Sequence, residues 1–321
     1  MKLSARPSRR PSARSAAFVL AAGLLVTPVL AACGGPSSKA SASGSASGSS
    51  TSSGVKVTGA FGQKPALTVP GGAAPTKLNS EVLSQGNGPA VTSGQTIVVN
   101  YLGQTWEPKD GKPNVFDNSF DRKQPVNFPI GKGQVISGWD KTLVGQKAGS
   151  RVLLTIPPSE GYGSDASNAL AKNTLLFVVD VLGSYDAAAT ASGSPAGAVP
   201  AGFPAVTTQS GKVPAVTSVK GVTPGKDAKS ALLLKGSGAA IDENKFLALN
   251  LLQVDAKTGK TVRSTFGGEG PQLVAAKDVL SVVPSLKGGT VGSRAVVVSP
   301  APAKGAKDPA IVVVLDVLGE F

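Results

Sequence analysis

The chain has 321 residues, a formal charge of +13, 41% hydrophobic and 5% aromatic residues, 40 Gly, 24 Pro, one Cys and no His. Without histidine there is no Ser-His or Cys-His nucleophilic pair, no imidazole base and no His-containing zinc site. One cysteine forms neither an intramolecular disulfide nor a thiolate cluster. The apolar share is enough for packed cores, and the length suits two domains of roughly 100–200 residues each.

Residues 1–32 read as an export signal: Lys2, Arg6, Arg9, Arg10 and Arg14 precede the apolar run from Ala16 to Ala32. Leu30-Ala31-Ala32-Cys33 resembles a bacterial lipobox, in which the cysteine is acylated and becomes the first residue after cleavage. Lipid on Cys33 would hold the protein at the outer face of the cytoplasmic membrane. The Arg9-Arg10 pair does not decide the export route, because Pro11-Ser12 follows it. Those five basic residues, with no acidic residue among the first 32, account for five of the thirteen net charges. The remaining Lys and Arg are scattered and few aromatics could stack bases, which argues against nucleic acid and for attraction to anionic lipid or wall polymers.

Residues 33–54 are Ser/Gly-rich and read as a flexible tether, and residues 186–202 as an Ala/Pro/Gly linker. The segments between and after them, 55–185 and 203–321, repeat each other. Lys64-Pro65-Ala66-Leu67-Thr68 is echoed by Val213-Pro214-Ala215-Val216-Thr217, and Gln85-Gly86-Asn87-Gly88 by Lys235-Gly236-Ser237-Gly238. Gly149-Ser150-Arg151 returns as Gly292-Ser293-Arg294, and the run Phe177 to Gly183 as Val313 to Gly319.

Within the first copy the period is two. Ile97, Val99 and Tyr101 share a face, as do Val152, Leu154 and Ile156, and Leu175, Phe177, Val179 and Val181, which predicts half-buried antiparallel strands. One short helix is predicted, with Ser137 as N-cap, Asp140 completing a capping box, Trp139 and Leu143 on one face, and Gly145 as the stop. The fold class is α+β: a twisted antiparallel sheet wrapped around a short helix, in two copies.

At roughly residues 84–183 the motifs resemble those of the FKBP-type peptidyl-prolyl isomerases. Val99-Asn100-Tyr101-Leu102-Gly103 is similar to that family's V-x-Y-x-G strand, Val115-Phe116-Asp117-Asn118-Ser119 to its F-D-S-S, and Gly131 to Trp139 to its G-x-x-x-V-I-x-G-W; Pro157 to Gly163 resembles the P-x-x-x-Y-G that follows. The resemblance implies that Trp139 floors a pocket walled by Tyr101, Phe116, Val135, Ile136, Tyr162 and Phe177 that accepts a proline ring. It also implies polar contacts to the substrate from Asp117, the Tyr162 hydroxyl and the Ile136 N–H, with no cofactor and no metal. Its partners would be proline-containing unfolded or exported polypeptides, with a macrolide as inhibitor. Rotation about an X-Pro bond needs no acid, base or nucleophile, so the lack of histidine is no handicap. Taken singly, each residue also has a plain structural explanation: a buried Trp is usually core, Asp117 a turn residue, and Arg122 either a surface charge or a salt-bridge partner that keeps Asp117 ionised.

There are departures from the family. Val126 stands where many members have an aromatic residue, Gln134 replaces an acid, and the segment from Ser164 to Asn173 is short, leaving Leu170 to overhang the pocket. These predict activity with altered sequence preference and weakened macrolide affinity. In the second copy Asn250 is expected at the position of Tyr101 and Val283 at that of Trp139, with no clear Phe-Asp pair in Arg263 to Gly268 and no tyrosine in Pro300 to Gly305. That copy is expected to keep the fold without turnover. Two rival readings stay open: a lipoprotein that grips proline segments as a chaperone or scaffold without turnover, and a solute-binding lipoprotein, which the repeat argues against.

Overall fold

The computed structural model describes residues 49–301 and 309–321; the export segment, the lipobox with Cys33 and most of the expected tether lie outside the described residues. The first half carries β1 (Asn79–Ser84), β2 (Thr96–Thr105), β3 (Val115–Asn118), β4 (Val126–Pro129), α1 (Ser137–Thr142), β5 (Arg151–Ile156) and β6 (Leu175–Tyr185). The strands form one antiparallel sheet in the order β1-β5-β6-β2-β3, with β4 also paired to β2. The alternating β-branched and aromatic residues suit such a pleated surface. α1 lies on one face, where Trp139 and Leu143 join Ile97, Val99, Tyr101, Leu154, Ile156 and Phe177 in a single core. Contact is so close at Gly138 that a Cβ there would stand 2.6 Å from the Ile156 side chain.

The three central strands, β2, β5 and β6, are not half-buried. Their other face, with Leu102, Leu153, Leu176 and Val178, is covered by Val55, Val57, Leu67 and Trp106. The cover is a hairpin of Lys56–Thr58 and Ala66–Thr68, extended by Ser49–Ser50 from the end of the expected tether. Alternation within each strand predicted the core face alone, because the covering residues come from a different part of the chain.

A buried arginine fastens this cover. Arg151 donates from Nε and Nη2 to Asp180 at 2.6 and 2.8 Å, and from its remaining N–H groups to the carbonyls of Gly59 and, at 2.6 Å, Gln63. The Gly62 N–H donates to the same carboxylate at 2.8 Å. Two charges taken out of water are tolerable only when paired and fully hydrogen-bonded, as here.

The second half carries β7 (Lys229–Lys235), β8 (Phe246–Asp255), β9 (Thr261–Ser264), β10 (Gln272–Ala275), α2 (Ala276–Val282), β11 (Arg294–Val298) and β12 (Ile311–Glu320). Its order, β7-β11-β12-β8-β9 with β10 on β8, retraces the first path. The hairpin of Ala205–Val206 and Val216–Ser218 takes the place of the first cover, fastened by Arg294, which donates to Asp316 at 2.6 and 2.7 Å and to the Lys212 carbonyl at 2.7 Å.

Residues 186–202 are built into this half rather than left as a linker. Ser194–Pro195 pairs with Leu234 and Lys235 at the edge of β7, and the Ala191 N–H donates to Asp316 at 2.8 Å. Small residues let the chain lie flat: a Cβ on Gly193 would stand 2.3 Å from the Lys235 carbonyl oxygen. The halves also touch directly. Tyr185 meets Phe321 edge-on at 6.3 Å, and Asn127 Nδ2 donates to the Pro271 carbonyl at 3.0 Å. A Cβ on Gly270, which has φ +73°, would stand 2.7 Å from Thr96 Oγ1.

Candidate active site

α1 begins after Ile136, and no side chain caps it. Ser137 therefore does not form the expected capping box: its hydroxyl donates to Glu160 Oε2 at 2.5 Å. Asp140 turns instead to the preceding loop, accepting from the Gly131 and Gly133 N–H groups at 2.7 Å each. Both glycines have positive φ, 77° and 68°, a conformation costly for residues with a Cβ. The clamp holds the loop that leads into Val135 and Ile136. Glu160 also accepts from Lys141 at 2.7 Å, which ties the turn of Pro158–Glu160, and with it Tyr162, to α1.

The expected wall residues converge. Trp139, 4% exposed, meets Tyr101 at 5.5 Å and Phe177 at 5.2 Å between ring centroids, both near perpendicular, and Phe116 meets Phe177 at 5.5 Å. Val135, Ile136, Tyr162 and Leu170 pack partly buried against the same cluster. Edge-to-face pairing of this kind adds about 0.5–1.5 kcal/mol per pair beyond area burial. Gly103 makes room for it, since a Cβ there would stand 2.7 Å from Phe177 and 2.8 Å from Phe116.

Sequence reasoning missed Phe128. Its ring lies 5.2 Å from Trp139 and 6.0 Å from Tyr101, so it restores an aromatic wall beside Val126, which packs partly buried on the same core. The alternation Val126-Asn127-Phe128, which puts the two apolar residues on one face, was the signal.

Polar groups gather at the rim. Tyr101 Oη donates to Asp117 Oδ2, Arg122 Nη1 donates to Asp117 Oδ1, and Arg122 Nη2 donates to Tyr101 Oη at 3.3 Å. The Asp117–Arg122 bridge anticipated as one alternative is thus formed. Partial burial pushes the Asp117 carboxyl up, but the hydrogen bonds from Tyr101 and Arg122 and the guanidinium charge outweigh it and hold it below its ordinary value. Burial, then the bond to Asp117, pushes the Tyr101 hydroxyl up to about 12, so it remains a donor. Burial and the Asp117 charge push the Tyr162 hydroxyl up as well.

Two donors are left over. Trp139 Nε1 is buried with no partner among the described residues, and neither does the Ile136 N–H find one there. A buried orphan donor costs about 1–3 kcal/mol, so a ligand acceptor reaching it would recover part of that.

Among the described residues of the second half no such pocket forms. The β8–β12 register sets Asn250 opposite Asp316, as Asn100 stands opposite Asp180, so Asn250 answers to Asn100 and Leu251 to Tyr101. The expected match of Asn250 to Tyr101 is therefore off by one residue, a slip that reverses the face of a strand residue. The β8–β9 register further aligns Val262 with Phe116 and Arg263 with Asp117. Val283, which ends α2, is buried in a cluster without an aromatic ring.

The family model for FKBP-type peptidyl-prolyl cis-trans isomerases matches residues 88–182. An FK506-binding protein of Streptomyces anulatus is 37% identical over 37% of this chain and 96% of its own length. A probable FK506-binding protein of Corynebacterium glutamicum is 35% identical over 37% of this chain and 98% of its own. Among solved structures, FkpA from Escherichia coli is similar over 35% of this chain and 49% of that chain, at 36% identity and a TM-score of 0.30. With near-complete relatives matched at this identity, the chain belongs to the FKBP-type peptidyl-prolyl cis-trans isomerases and is an enzyme of that activity.

Proposed function

We propose that isomerisation takes place in the first half alone, in the Trp139 pocket, and that the second half is a copy of the same domain which has kept the framework without the site. The observation that carries this reading is the aromatic box of Trp139, Tyr101, Phe128 and Phe177 with the Asp117–Tyr101–Arg122 cluster at its rim, matched in the second half by Leu251, Arg263 and a ring-free core.

The proline ring of the substrate sits over Trp139, against Phe177, Phe116, Val135 and Ile136. The barrier to rotation is ~20 kcal/mol because the twisted amide loses resonance, and the twisted form is less polar than the planar one. An apolar, water-poor wall favours that form, and each ~1.4 kcal/mol of preference is about tenfold in rate. The Ile136 N–H, the Tyr162 hydroxyl and the outer lone pairs of Asp117 hold the flanking peptide groups, so that only the X-Pro bond turns.

The polypeptides served are exported chains whose folding waits on proline, met at the outer face of the cytoplasmic membrane, where lipid on Cys33 holds the enzyme. A macrolide fits the same box and acts as inhibitor. Its affinity is weakened by the short overhang at Leu170.

The cis-to-trans relaxation of a Phe-Pro tetrapeptide, with and without the full chain, tests the reading. Acceleration lost in Trp139→Ala and retained in Val283→Ala supports it. Acceleration that survives Trp139→Ala moves the site elsewhere, and binding without acceleration replaces the enzyme reading with a proline-gripping chaperone.

A further inference from the structure

A cleft of about 380 Å³ lies between the halves, lined by Thr96, Pro129, Lys132 and Gln134 from the first, Gly268 and Glu269 from the second, and Ala187 between them. It opens beside the pocket, since Gln134 immediately precedes Val135 and Ile136, which pack on the aromatic core.

The cleft's second wall is fixed in place. Asn127 donates to the Pro271 carbonyl at 3.0 Å, Gly267 N–H to the Ala187 carbonyl at 3.0 Å, and Asn250 Nδ2 to the Ala187 and Ala189 carbonyls at 3.1 and 2.9 Å. Gly270 brings the backbone against Thr96 at a distance no larger residue would allow.

The charges on the two walls do not cancel. Glu269 is already paired with Arg263, whereas Lys132 is exposed and has no ion-pair partner among the described residues. Lys132 cannot reach for Glu269 without competing with that guanidinium.

We propose that this cleft is a second substrate site, which takes the segment flanking the proline and prefers an acidic side chain there, paired with Lys132. The proposal rests on the reading that the Trp139 pocket takes the proline ring. The second half thereby contributes to the reaction without turning over substrate, because it walls the site and selects sequence.

The test uses the full chain and four ten-residue peptides with a central Phe-Pro, carrying Glu or Lys three residues before or three after the proline. Both the relaxation rate and the Kd of the labelled peptides are read. The Glu peptide on one flank is expected to exceed its Lys counterpart about threefold in kcat/KM and in affinity at low salt, and the difference should vanish near about 0.5 M salt. Lys132→Glu should reverse the preference, and Lys56→Glu, on the covering hairpin of the opposite face, should leave it intact. A preference absent from wild type, or unmoved by Lys132→Glu, overturns the proposal. Charge-dependent binding with no acceleration of any peptide would retain the cleft and overturn the isomerase site instead.

Discussion

The register along β2 and β8 shifts at the same two places, between Val98 and Val99 and between Gly103 and Gln104 in one, between Ala248 and Leu249 and between Gln253 and Val254 in the other, the extra residue lying each time on the partner strand: Leu182 and Phe116, Leu318 and Val262. Each strand carries an asparagine, Asn100 half-buried and Asn250 buried, that accepts from a hydroxyl just past the end of the next strand, Ser119 to Asn100 at 2.9 Å and Thr265 to Asn250 at 2.7 Å. The same hydroxyls accept from the N–H of Tyr101 and of Leu251, each at 2.9 Å. Ser150 and Ser293 accept from Gly86 and Gly236 in the same way. Around this shared frame almost every pocket residue differs. Tyr101 becomes Leu251, Gly103 becomes Gln253, Phe116 becomes Val262, and Asp117 becomes Arg263, whose bridge to Glu269 keeps an ion pair at that corner with its charges reversed. Buried polar bonds fix bulges and register, which any sheet of this path needs, whereas the second half keeps the same path without the aromatic box. The two halves separate the requirements of the fold from those of the site.

The largest effect should come from Trp139→Ala. It removes the floor, with a loss of about 3–5 kcal/mol of stability and of roughly 100-fold in isomerisation, equivalent to about 2.7 kcal/mol. Val283→Ala, at the end of α2, should destabilise without changing turnover. Denaturant melts beside relaxation rates would check both, and equal activity losses would erase the asymmetry between the halves.

The frame itself should break alike on both sides. Arg151→Met leaves Asp180 buried and unpaired and releases the covering hairpin, and Arg294→Met does the same to Asp316. Each should cost about 3–5 kcal/mol, read by urea unfolding. A large cost on one side only would mean that one of the two hairpins is held by other contacts.

Gly103→Ala should follow, at about 1–3 kcal/mol for overpacking with a clear fall in activity, because its Cβ enters the space of Phe116 and Phe177. Gln253→Ala, at the matching position, should leave activity untouched. Thermal melts and relaxation rates on the pair would show whether the glycine is a demand of the sheet or of the aromatic box.

The antiparallel sheet with its short helix, the core face of β2, β5 and β6 and the residues that gather around Trp139 were legible because they rest on alternation and on residue types fixed within one strand or one loop. What escaped depends on distant chain. Val55, Leu67 and Trp106 cover the second face, a burial that no period within β2 or β6 announces. Ser137 and Asp140 have the spacing of a capping box but meet stronger partners in Glu160 and the Gly131–Gly133 turn. The one-residue slip at Asn250 has the same origin, since a buried asparagine in an apolar strand is matched to Asn100 only once its hydroxyl partner Thr265 is placed.

The smallest effect expected is also the most specific to the first half. Asp117 sits below its ordinary carboxyl value of 3.8, so its ionised form, and the stability it contributes, are fully present above that value and are lost as pH falls through the lower value of the folded state. Isomerisation should therefore be flat from about pH 8 to about pH 5 and decline only in stronger acid. Arg122→Ala removes one hydrogen bond and the positive charge while burial remains, so the acid limb should move to higher pH; Asp117→Asn should abolish the limb and lower the rate about tenfold, roughly 1.4 kcal/mol. Arg263→Ala, at the inverted corner of the second half, should leave the whole profile in place. Relaxation rates across that pH range for the three variants would decide the matter: a limb that ignores Arg122, or responds to Arg263, would mean that the titrating group is not the carboxylate at the rim of the Trp139 pocket.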